Sequence, residues 1–95
     1  MDWKSRAHLE DHWGRHRGEL RTGSIEEYNA SAQDTIARGR EFTYRDRRTW
    51  ERHIGYYHLE SARFVGLTLN REIVTHYRTD EDQVYSKLES TYWDD

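Results

Sequence analysis

His8, His12 and His16 recur at four-residue spacing near the start of this 95-residue chain. On a helix that spacing stacks the imidazoles along one side. Imidazole titrates near neutrality, so a row of three points to proton transfer or to metal binding. A zinc site on a helix needs a third protein ligand, which Glu19, His53, His58 or His76 could supply, and the zinc-protease pattern places Glu directly after the first His. Here Leu9 follows His8 and Trp13 follows His12, so the expectation is no metal and no cofactor. Acid–base cleavage of RNA needs a different set: a base for the ribose 2′-OH, an acid for the leaving 5′-oxygen, and donors for charge on the phosphate. Thr75, His76 and Tyr77 near the end of the chain, with Arg45, Arg47 and Arg48 in its middle, complete that inventory.

These residues must be positioned by regular elements. A first helix is expected from Ser5 to Arg17, with Gly18 as its stop. Leu9, Trp13, His16 and Leu20 share its narrow apolar stripe, which aims His16 at the core, sets His12 on the flank and turns His8 towards solvent. A second helix opens at Ser24, where Ser24-Ile-Glu-Glu27 forms a capping box, and ends at Gly39, with Ile25, Tyr28, Ala32 and Ile36 inward. Strand patterns follow at Glu41–Tyr44, His53–His58, Arg63–Leu69 and Glu72–Tyr77, the last two joined by a tight turn in which Asn70 suits positive φ. Alternation places Ile73, Thr75 and Tyr77 on one face of the last strand and His76 on the other. A third, acidic helix begins near Asp80, with Val84, Leu88 and Tyr92 inward. The expected fold is α+β: two N-terminal helices on one face of an antiparallel sheet of about four strands, then a C-terminal helix.

The chain is long enough for one small domain, residues 1–95. Hydrophobic residues make up 34% and charged residues 35%, but four Trp, seven Tyr and two Phe can still furnish a core. The absence of cysteine excludes disulfides and thiolate metal sites. No apolar run reaches membrane-spanning length and no signal-peptide core follows Met1, so a cytoplasmic location away from membranes is expected. The net charge is −3, yet only Lys4 and Lys87 are lysine and the other thirteen basic residues are arginine. Six of those lie between Arg38 and Arg52, while the acids gather after Arg78, so anion binding is expected at one place only.

The run Leu9-Glu-Asp-His-Trp-Gly-Arg-His-Arg-Gly-Glu-Leu20, followed by Ser24-Ile-Glu-Glu-Tyr-Asn-Ala30, resembles the N-terminal half of colicin D-like nuclease domains. These belong to the barnase–EndoU–colicin–RelE superfamily of small ribonucleases found in bacterial toxins and phage proteins. Tyr56 to Tyr77 resembles their closing hairpin, which ends in Thr-x-Tyr or Thr-x-Phe. The resemblance spans about residues 7–78, leaving 79–95 as the acidic helix. It implies a metal-independent, toxin-like endoribonuclease with tRNA as a candidate substrate and a cognate inhibitor as a partner. It implies catalytic roles for His12 or His16 and for Thr75, with Tyr77 beside them. Arg45, Arg47, Arg48 and Arg63, on or near the middle strands, are the candidate phosphate and RNA contacts. The chain departs from the family pattern at Arg17 before Gly18, at the Asn70-Arg71 turn and at His58–Ala62. The competing expectation is a protein-interaction module or mobile-element accessory that keeps the fold without activity, as the mild acidity suggests.

Overall fold

The computed structural model describes residues 1–46 and 48–87. Three helices, α1 (Arg6–His16), α2 (Ile25–Arg38) and α3 (Glu81–Lys87), flank four strands, β1 (Arg40–Arg45), β2 (Arg52–His58), β3 (Arg63–Leu67) and β4 (Ile73–Arg78). The strands form one antiparallel meander in the order β1-β2-β3-β4, so the fold is the expected α+β arrangement. Arg47, and Leu88, Tyr92 and the other residues expected to continue the third helix after Lys87, lie outside the described residues. Among the described residues, no helix is long and apolar enough to cross a membrane.

Capping residues set the helix starts. The Ser5 hydroxyl accepts from the His8 amide and the Ser24 hydroxyl from the Glu27 amide. The Glu27 carboxylate reaches back to the amide of Gly23, one residue before the position a capping box would give it. At the other end of the chain, the β3–β4 turn differs from expectation. β3 stops at Leu67, and it is Arg71, not Asn70, that takes positive φ, at 65°.

The helices do not share one face of the sheet. α2 covers one side, where Ala32 packs with Ile54, Tyr56, Val65, Leu67 and Ile73. On the other side Phe42, Tyr44, Tyr57 and Phe64 pack with Val84 of α3. Both faces of the middle strands are therefore apolar and buried, which accounts for the nearly unbroken burial of β2 and β3. α1 does something else: it lies along the outer edge of β4. The segment before it pairs with that edge first, through the Ile73 amide to the Asp2 carbonyl and the Lys4 amide to the Ile73 carbonyl, both 2.9 Å. The edge strand is thus covered rather than left open.

A β-bulge decides what β4 shows to each side. Thr75 pairs with Gly66 but Ile73 pairs with Leu67, leaving Val74 as the extra residue. The alternation expected from sequence breaks there. Ile73 and His76 both face α2, whereas Thr75 and Tyr77 face the opposite side with Phe64.

Candidate active site

Opposite α2, the sheet face opens into a cleft of about 1260 Å³ between α1 and the β1–β2 loop. All three N-terminal histidines line it. Their rings stack in a row, with centroids 6.3 Å apart between His8 and His12 and 5.8 Å between His12 and His16. Because α1 runs along the β4 edge, the row faces the cleft instead of the core. His8 is half-buried, tied to Ser5, rather than turned fully to solvent.

His12, not His16, meets Thr75. Its Nδ1 lies 3.3 Å from the Thr75 hydroxyl, and its Nε2 lies 3.3 Å from Nη2 of Arg15. A guanidinium only donates, so Nε2 accepts and Nδ1 carries the proton given to Thr75. Burial pushes the His12 pKa down to about 4, helped by the positive charge of Arg15. The ring is therefore neutral at pH 7.

His16 has a carboxylate partner. Its Nδ1–H donates to Oε1 of Glu19 over 2.9 Å, while Oε2 of the same carboxylate accepts the Arg78 amide over 2.8 Å. Glu19 thereby ties the end of the first helical segment to β4 and holds one imidazole tautomer, leaving Nε2 as the atom able to take a proton. Tyr77 packs its ring 5.5 Å from the His16 ring and 5.2 Å from Phe64.

Two phenols and a fourth histidine form the floor. A Cβ at residue 66 would collide with the Tyr44 hydroxyl and come within 3.0 Å of the Thr75 methyl. Glycine at that position is what lets both side chains close over β3. Burial raises the Tyr44 pKa and pushes that of Tyr77 up to about 12, with Asp46 and Glu19 adding to the latter. Both phenols stay protonated at neutral pH. His53 is buried and meets Tyr44 edge-on at 5.7 Å.

The arginines divide. Arg48 lies exposed on the rim of the cleft, which Arg45, Arg52 and Lys4 also line, and the backbone at Arg48 is held by Asp46, which accepts from the Arg48 amide and the Thr49 hydroxyl. Arg45 donates to the Trp50 carbonyl over 2.9 Å and lies 5.5 Å from the centre of its indole. Arg63 is placed on the far side of the sheet. Its nitrogens bind Asp34 at 2.6 Å, Ser61 at 2.8 Å and Ser31 at 3.0 Å, so it braces α2 against β3 and does not reach the cleft. The same Ser31 meets Nε2 of His76 at 3.0 Å, and Nδ1 of His76 donates to the Phe64 carbonyl. With Arg63 donating to the Ser31 oxygen, the hydroxyl proton goes to His76 Nε2, and the buried ring is satisfied while neutral.

Sequence reasoning passed over Arg15 and Tyr44 as site residues, and considered Glu19 and His53 only as metal ligands. The spacing of three between His16 and Glu19 was a usable signal. Arg15, three residues after His12 on α1, offered the same signal, whereas Tyr44 and His53 are set by strand register. Among the described residues, no three His, Asp or Glu side chains converge closely enough to hold a metal ion. Compared with protein-family models, with curated proteins and with solved structures, the chain matches none of them.

Proposed function

We propose that the cleft cleaves RNA by acid–base chemistry. The observation that carries this reading is the contact of His12 with Thr75 at 3.3 Å, beside a His16 ring oriented by Glu19. His16 Nε2 takes the proton of the ribose 2′-OH. The 2′-oxygen attacks the adjacent phosphorus, the bond to the 5′-oxygen breaks, and the products are a 2′,3′-cyclic phosphate and a free 5′-hydroxyl. His12 gives the proton to the leaving oxygen. It is neutral without substrate, but a phosphate placed against it favours the charged form. Thr75, Arg15 and the Tyr44 phenol donate to the phosphate oxygens as charge builds on them. Tyr77 fixes the His16 ring by packing. The arginines of the rim supply attraction for the strand.

The resemblance to colicin D-like domains supports the same reading and makes tRNA the first substrate to try. It also makes a small inhibitory partner, co-purifying with the protein in the cytoplasm, the natural companion of a toxin-like nuclease. A fold kept only for protein interaction has no need of this contact. It would tolerate His12 and Thr75 beyond hydrogen-bond reach or one bridging water. Incubation of the full chain with total tRNA in EDTA tests the proposal. Cleavage is expected, falling about a hundredfold or more in His12→Ala and in His16→Ala. An inert wild type, or unchanged cleavage by His16→Ala, overturns it.

A further inference from the structure

Trp50 lies at the cleft mouth, outside the groups used above. It is the most exposed large hydrophobic residue among those described, at 67%, whereas Trp3 and Trp13 are half-buried. Its backbone has φ of 64°, in the left-handed region that a bulky residue rarely adopts. The loop is pinned in that shape: the Trp50 amide donates to the Asp46 carbonyl over 2.7 Å, and the Asp46 amide to the Glu51 carbonyl over 2.8 Å. Arg45 adds a cation over the indole and a hydrogen bond to the Trp50 carbonyl. Glycine or asparagine would serve this backbone better, and an exposed indole adds nothing to the core. Strain and exposure together point to a use for the ring. The neighbouring cations decide which. Arg45 lies over the indole, and Arg48 and Arg52 line the same cleft; an aromatic platform with arginines in the same cleft suits a base flanked by phosphates.

We infer that Trp50, braced by Arg45, is a stacking platform for an unpaired nucleobase of a single-stranded RNA entering the cleft, an inference that rests on the reading of the cleft as an RNA site. The test is binding without turnover. The full chain is titrated with a 2′-O-methylated oligoribonucleotide, which cannot be cleaved, and with an abasic oligomer of equal length and charge. Wild type should prefer the strand with bases, and Trp50→Gly should lose that preference, with binding weaker by about ten- to a hundredfold. Because glycine suits positive φ, the thermal midpoint of Trp50→Gly should stay level or rise, which separates loss of a platform from loss of fold. Trp50→Tyr should restore most of the preference.

Equal binding of the two oligomers by wild type, or equal preference in Trp50→Gly, overturns the platform and leaves the cleavage proposal standing. Trp50-dependent binding by a protein that cuts no RNA supports the platform and overturns only cleavage. No binding to either strand removes both.

Discussion

At the scale of single residues, the Thr75 hydroxyl and the His12 ring are useful to each other only through a contact of 3.3 Å. Thr75→Val keeps the β-branched shape of the strand and removes the hydroxyl. Cleavage should fall about tenfold or more while the urea midpoint moves little, and Thr75→Ser should retain activity. His76 has no such partner in the cleft; it is fully buried, and burial lowers its pKa to about 4. The unfolded chain binds a proton near pH 6.5 that the folded chain refuses until about pH 4. The associated stability is therefore complete above pH 6.5 and is lost as pH falls towards 4. Its size is on the order of 3 kcal/mol for a shift of this kind. His12 moves in the same direction. Urea denaturation at pH 7.5 and pH 4.5 should show a lower midpoint at the acid end, and equal midpoints would contradict the neutral buried ring. The sequence picked out His12 and His16 by type and spacing, while the role expected of Thr75 rested on the resemblance to colicin D-like domains. It ranked His16 as the one facing the sheet, because helical phase was measured against an assumed core. The phase was sound, but α1 lies beside the sheet, not on it.

At the scale of elements, a cap and a close approach carry separate predictions. Ser24→Ala removes the acceptor of the Glu27 amide and should cost about 1 kcal/mol, read from chemical denaturation. Gly66→Ala forces a methyl against Tyr44 and Thr75. It should cost about 1–3 kcal/mol and lower cleavage as well, since it displaces two groups of the cleft floor. Normal activity and stability in that variant would mean the floor is looser than described. The cap at Ser24 was legible because its partners lie within four residues. The bulge at Val74 was not, since only pairing with β3 reveals that Leu67 and Gly66 skip a residue of β4. That one residue moved Thr75 and Tyr77 to the face opposite Ile73. Arg63, grouped with the other arginines by composition, lies behind the sheet with Asp34 for a simpler reason: alternation along β3 puts it on the same face as Val65 and Leu67, towards α2.

At the scale of the whole molecule, the chain carries a net charge of −3, and Asp11, Asp46, Glu51 and Glu72 line the cleft together with Lys4, Arg15, Arg45, Arg48 and Arg52. Attraction for RNA is then local and modest. With about three phosphates neutralised, log K should fall against log salt with a slope near −2. Titrations of a single strand at several salt concentrations measure it. A slope near zero would mean that the rim arginines do not meet phosphate.

By itself, the sequence determined the α+β class, the order of the elements, the row of histidines and the inventory of hydroxyls and arginines. Those depend on periodicity, capping and residue type, all of which act over a few neighbours. Tertiary structure alone decided that α1 lies along the β4 edge and that His12 is the ring touching Thr75. It also decided that Glu19 reaches the Arg78 amide of β4, that Arg63 leaves the cleft, and that Trp50 is held out at its mouth. Each of those outcomes turns on strand register and on where one element is laid against another. Both are set by contacts between residues far apart in the chain.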